Sequence, residues 1–206
     1  MKKITLLGLA FVAALSFQSC SSASESTETE EAESAMLEDG TLNLDLAAST
    51  VEWTGVMLGV KEHTGNVTIT EGSVDITDGA VSGGNFVVDL TTIVPTDTVY
   101  DENSTKEKLV GHLSSPDFFN VEEFPSASFE ITGVAGTTVT GNLTVRGVTN
   151  EETVEDVEIV TVGDVTNIKG NLTFDRKKYD VSFDVPVKEM VISNDIQLSI
   201  NLVAAK

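Results

Sequence analysis

His112-Leu-Ser-Ser-Pro-Asp-Phe-Phe-Asn-Val-Glu-Glu-Phe-Pro-Ser-Ala-Ser-Phe129, followed by the strand-like Gly141-Asn-Leu-Thr-Val-Arg-Gly-Val-Thr149, is the stretch on which the reading of this chain turns. Four phenylalanines, Phe118, Phe119, Phe124 and Phe129, sit among turn-forming residues in a chain that is only 6% aromatic. Rings concentrated in a connection have to cover or line an apolar space. What surrounds them reads as β-sheet.

Apolar residues recur with period two on both sides of this stretch. The pairs and runs are Val51/Trp53, Val67/Ile69, Phe86/Val88/Leu90, Phe129/Ile131, Val139/Gly141/Leu143/Val145, Val157/Ile159, Ile168/Gly170/Leu172/Phe174, Val181/Phe183/Val185 and Ile196/Leu198/Ile200/Leu202. Each such run buries one face and wets the other. Turn signals at Thr77-Asp-Gly79, Gly133 to Thr137 and Gly163-Asp164 separate them, as hairpin-linked antiparallel strands require. Glycines inside the runs (Gly55, Gly65, Gly84, Gly141, Gly170) weaken flat strands but permit the coiling of a closed barrel. The expected fold class is therefore all-β, an antiparallel barrel of about eight strands.

One helix is expected. Ser104-Thr-Lys-Glu107 is a capping box, Leu109, Val110 and Leu113 supply an apolar face, and Pro116 forbids continuation. The helix falls in the longest connection, between strands ending near Val94 and starting near Ser128, and a long insertion in a small barrel caps an end or forms a lid.

The N-terminus sets the expected compartment. Met1-Lys-Lys, an apolar run from Ile4 to Leu15 and Ser16-Phe-Gln-Ser-Cys20 have the parts of a secretory signal, with the single cysteine where a bacterial lipoprotein signal places the thiol that is acylated. Residues 1–19 are thus read as a leader, Cys20 as the lipidation site, and 20–39 as an acidic, disordered tether able to span on the order of 25 Å. Residues 40–206 form one domain, of a size that buries most of its chain. The expected location is the cell envelope, lipid-anchored, at the outer membrane facing periplasm or cell surface. The net charge is −21; losing Lys2 and Lys3 with the leader makes it −23, and setting aside the seven acidic residues of the tether leaves about −16 on the domain. Such a field repels phosphates, so nucleic acid is excluded as a partner. Nothing in the sequence specifies the oligomeric state.

These segments together resemble the YceI-like family of bacterial secreted proteins. The resemblance is carried by Val51-Glu-Trp53, His63-Thr-Gly65, Gly83-Gly84-Asn-Phe86, His112 to Phe119, Phe124 to Phe129, Gly141 to Thr149, Phe174-Asp-Arg176 and the closing alternating strand. It implies a lipocalin-like barrel with an elongated apolar tunnel for a polyisoprenoid, a quinone tail or a polyprenyl carrier, as ligand and no other cofactor. Trp53, Phe86, Val88, Leu109, Leu113, Phe129, Leu143, Phe174 and Phe183 then serve either as ordinary core or as tunnel lining, with Phe118, Phe119 and Phe124 at the mouth. His112 either meets a ligand headgroup or ties its helix to a neighbouring carbonyl. Arg176, with Lys177 and Lys178, either meets a headgroup or belongs to a solvated cluster. Arg146 reads as an outward salt bridge and His63 as structural or exposed. The scarcity of positive charge favours a neutral prenyl compound over a prenyl diphosphate. With Cys20 acylated there is no thiol nucleophile, no Gly-x-Ser-x-Gly elbow, no His-Glu-x-x-His helix and no phosphate loop, so a non-catalytic carrier is expected and no metal site. Two other readings stay open: a filled barrel acting as an adhesion or scaffold module through its acidic surface, and an enzyme acting on the bound lipid.

Overall fold

The computed structural model describes residues 37–185 and 191–205. The leader, Cys20 and most of the tether lie outside these residues. The elements are β1 (Gly40–Asn43), β2 (Thr50–Met57), β3 (Lys61–Thr77), β4 (Ala80–Pro95), α1 (Lys106–Ser114), β5 (Ser126–Ala135), β6 (Thr138–Val145), β7 (Val148–Val162), β8 (Val165–Asp175) and β9 (Ile192–Ala205), with a 3₁₀ turn at Arg176–Tyr179.

Strands β2 through β9 pair antiparallel around a ring, which closes because β3 bonds to both β2 and β4. The result is the expected closed eight-strand barrel. β1 shares one position of that ring with β2: β1 lies along Ser73–Ile76 of β3, β2 lies along Lys61–Val67, and Leu44 bridges Ala204 on the other side. Between them the chain bulges out, and Ser49 mends the ladder. Its Oγ donates to the Asp45 carbonyl at 2.8 Å and accepts from the Val203 N–H at 2.9 Å, which leaves no buried donor of β9 orphaned at the gap.

Two-residue hairpins of type I′ need positive φ at both central positions. Asp78-Gly79 (φ 53° and 74°) and Arg146-Gly147 (φ 51° and 74°) supply it. Arg146 is thus a turn residue, and its Nη1 donates to the Phe118 carbonyl rather than forming the expected salt bridge. That bond ties the β6–β7 turn to the long connection.

Helix α1 forms where expected, but its cap is Thr105, whose side chain accepts from Lys108 N–H at 3.3 Å. Ser104 is instead held outside the helix by Asp101, which accepts its N–H at 2.8 Å. Residues 181–185, expected as a strand, have no strand partner among the described residues. They keep the alternation all the same, with Val181 buried and Ser182 exposed. The Arg176 Nη1–H takes the Val181 carbonyl at 2.7 Å in place of a neighbouring strand.

The interior has two apolar groups. Ile69, Val74, Ile76, Val81, Ile168 and Leu202 form a floor at the end of the barrel turned by Asp78-Gly79 and Gly163. Leu37, placed by sequence in the tether, packs against this floor. The larger group, including Leu113, Phe118, Leu143, Leu172, Phe174 and Tyr179, fills the walls and the opposite end beneath α1.

Candidate functional site

Between floor and roof the barrel encloses an apolar cavity of about 540 Å³, within the range of small-molecule sites. Its walls carry Trp53 from β2, Phe86 and Val88 from β4, Phe129 from β5, Leu143 from β6 and Phe174 from β8. Leu109, His112 and Leu113 of α1, with Phe118 and Phe119 just after it, roof one end together with Phe183. Arg176 reaches the same space. Phe124 is the exception among the expected mouth residues. Its ring lies against Gly147, where an added Cβ would come within 2.8 Å of Cε1, so it covers the β6–β7 turn and does not line the cavity.

The lumen stays open because its largest rings lie against the wall. Trp53 sits directly across the ladder from Gly65, and a Cβ built on Gly65 would fall 2.5 Å from the indole Cζ2. Phe86 lies across from Gly72, where a Cβ would meet Leu44 Cδ1 at 2.6 Å before Phe86 Cδ1 at 3.1 Å, and Phe129 covers Gly141, where a Cβ would fall 2.6 Å from its Cε1. A side chain at Gly65 or Gly141 would press on the ring that covers it. Sequence reasoning assigned such glycines to strand coiling and missed the rings above them. The usable signal was Trp53 and Gly65 equidistant from the turn at Gly59.

Three aromatic residues close the roof. His112 meets Phe118 edge-on at 4.9 Å and Phe183 at 4.5 Å, and Phe118 and Phe183 lie 5.7 Å apart. His112 does not tie its helix to a carbonyl through Nε2: that atom is buried without a hydrogen-bond partner, and so is Trp53 Nε1, both on residues lining the cavity. An unpartnered buried polar atom costs about 1–3 kcal/mol, recoverable by a ligand atom that pairs with it.

Arg176 is neither solvated nor free for a headgroup. It is 1% exposed, and Nε donates to the Ser193 carbonyl at 3.0 Å, Nη1 to Val181, and Nη2 to Asp184 at 3.5 Å. Burial forces a guanidinium to find acceptors within the protein, and here they stitch the 3₁₀ turn, the 181–184 segment and the start of β9 together. Beside it, Tyr179 is fully buried and donates to Glu152 Oε1 at 3.0 Å; burial, and then the Glu152 charge, push its phenol well above the ordinary value.

A second polar cluster stands at the roofed end of the barrel, where β3 begins and β4 ends. His63 Nδ1 lies 3.2 Å from Asp97 Oδ2 and its ring stacks on Tyr100 at 5.3 Å, so His63 is structural. Asp97 also accepts from Tyr100 Oη at 2.9 Å and from the N–H groups of Thr64 and Val99. Burial pushes the Asp97 carboxyl up, but these donors, Tyr100 foremost, outweigh it and hold it below its ordinary 3.8. Burial and the hydrogen bond to Asp97 push Tyr100 up to about 12. The cluster pins the chain that leaves β4 toward α1 to the start of β3.

With this geometry in hand, the likenesses to known proteins are coherent. The YceI-like domain family matches residues 42–204. A UPF0312 protein of Staphylococcus aureus is 36% identical over 127 residues, covering 57% of this chain and 72% of that protein. Among solved structures, Burkholderia cenocepacia BcnA superposes with a TM-score of 0.64 at 20% identity, over 79% of this chain and 99% of that one. A polyisoprenoid binding domain from Saccharophagus degradans, implicated in plant cell wall breakdown, gives 0.58 at 13% identity, over 82% and 99%. These two are likenesses of fold. The family match spans every strand of the ring and the lid above it, and by that match the chain is a member of the YceI-like family.

Proposed function

We propose that the barrel binds a polyisoprenoid lipid, quinone-like or polyprenyl, in its lumen and sequesters or ferries it at the bacterial cell envelope without chemical turnover. The observation that carries this reading is the 540 Å³ cavity with aromatic and aliphatic walls. Each methylene entering such a space contributes up to about 0.8 kcal/mol, so a branched hydrocarbon chain needs few polar contacts. The Saccharophagus degradans domain of the same fold is described as polyisoprenoid binding, which agrees. The leader and Cys20 support anchoring of the domain to a membrane, where such lipids reside. A filled barrel acting as a scaffold would have no such space to explain.

Organic extraction of the protein purified from its own envelope, followed by mass spectrometry, tests the proposal. One reproducible prenyl species at near-equimolar amount is expected. Extracts indistinguishable from those of an unrelated envelope protein would overturn it.

A further inference from the structure

Two lysines reach the rim of the cavity although the domain around it is strongly acidic. Lys61, at the start of β3, and Lys108, in the first turns of α1, are distant in sequence but both line the cavity, together with His63, Asn103 and Ser104. The 103–104 segment brings them together: Lys61 Nζ donates to Ser104 Oγ at 3.0 Å and Lys108 Nζ to the Asn103 carbonyl at 3.0 Å. Neither ammonium is in a salt bridge among the described residues, whose ion pairs are His63–Asp97, Arg176–Asp184, Lys177–Asp184 and Lys178–Glu152. Lys61 and Lys108 are set apart by their place, because both line the apolar cavity and are joined through adjacent residues.

Asp97 and Asp101, the hydrogen-bonded carboxylates of this segment, bond to groups other than the two ammoniums. Asp97 is held by His63, Tyr100 and two backbone N–H groups, and Asp101 accepts the N–H groups of Asn103 and Ser104. Glu62, next to Lys61 on β3, is exposed and falls on the outward parity of the strand. An ammonium has three donors, and each of these two spends one on a neutral oxygen. Their hydrocarbon stems can lie along the apolar wall while the charges meet whatever emerges from it.

We propose that this rim takes an anionic headgroup, a carboxylate or phosphate monoester, of the amphiphile whose chain fills the lumen. The inference rests on the lumen being a lipid site and names the end of the lipid that the lumen leaves outside. It reverses the preference that overall charge predicts: the domain's long-range field repels an anion, whereas Lys61 and Lys108 attract it locally. An exposed ion pair contributes about 0.2–1 kcal/mol, so two of them at low salt amount to a gain in affinity of about twofold to thirtyfold.

The test compares farnesyl monophosphate with farnesol, equal in chain and different in charge, both below their micellar concentrations. Binding is followed through the emission of Trp53, the chain's one tryptophan. At low salt the phosphate is expected to bind about twofold to thirtyfold more tightly, and the advantage shrinks at several-fold higher salt. Lys61→Gln with Lys108→Gln is expected to remove the advantage, read as the ratio of the two affinities within the same variant. Inorganic phosphate alone is expected neither to change Trp53 emission nor to displace farnesyl monophosphate. Equal or tighter binding of farnesol in the unaltered protein, an advantage that survives the double substitution, or displacement by inorganic phosphate would overturn the headgroup proposal while leaving the lumen intact. Binding of neither compound would overturn both.

Discussion

Replacing Gly65 by alanine puts the wall-and-ring arrangement to a direct test. Gly65 has an ordinary extended backbone, so an alanine there carries no conformational penalty and, by restricting the unfolded chain, is worth about 0.4–1 kcal/mol of stability. The structure sets that against a collision. The new Cβ would lie 2.5 Å from Trp53 Cζ2 and 2.7 Å from Cε2, with the Val94 carbonyl blocking the other direction, whereas carbon contacts are comfortable only at about 3.5–4.0 Å. The indole must rise by about an ångström into the lumen, an overpacking that costs about 1–3 kcal/mol. The net expectation is a loss of about 1–2 kcal/mol, a fall in midpoint of about 2–8 °C for a domain of this size. Gly55→Ala is the matched control, because its Cβ would meet only Ile196 Cδ1 at 3.8 Å; it should be neutral or gain up to about 1 kcal/mol. Thermal and urea unfolding read the difference, and Trp53 emission reports the displaced ring. If Gly65→Ala were no less stable than Gly55→Ala and left the emission unchanged, the claim that wall glycines hold the lumen open would be wrong.

Three further perturbations probe separate parts. Because the folded state holds Asp97 below its ordinary 3.8, the proton binds the unfolded chain more readily. Its contribution is complete above that value and is lost as pH falls through the folded-state pKa. Asp97→Asn should therefore flatten the acid limb of stability below about pH 4 and cost about 1–3 kcal/mol at neutral pH, seen in midpoints measured between pH 2 and 7. Arg176→Met should destabilise by about 3 kcal/mol or more, because it strands the Val181 and Ser193 carbonyls, yet leave the ratio of anionic to neutral ligand affinity unchanged; a changed ratio would return Arg176 to the headgroup site. Cys20→Ala should move the protein from the membrane fraction to the soluble fraction of cell lysates, and retention in the membrane would refute the anchor.

The strands were legible because each buries one face: the alternation at Phe86/Val88/Leu90 and at Ile196 to Leu202 maps onto β4 and β9 with the expected parity. Local signals failed where a longer-range partner decided the outcome. Val181/Phe183/Val185 alternates like a strand, but Arg176 occupies the carbonyl that a neighbouring strand would have used. The capping box at Ser104 lost to Thr105 because Asp101 binds the Ser104 N–H first. β1 and β2 sharing one ring position depends on the length of β3 and on Ser49 reaching Val203, which no local pattern encodes. The lining residues could be chosen by hydrophobicity and parity, yet the state of each polar group was hidden. Arg176 looked exposed among lysines and is buried, while the cations of the rim come from two segments that only the fold unites.

A saturable titration of the tryptophan bears most directly on the lumen itself. Trp53 lies in the cavity wall with its indole N–H unpartnered, so adding a short-chain prenyl quinone, whose ring quenches indole emission, should extinguish Trp53 fluorescence with one-to-one stoichiometry. Emission that falls only linearly with quencher, without saturation and no faster than that of free tryptophan, would show that no prenyl chain enters the barrel.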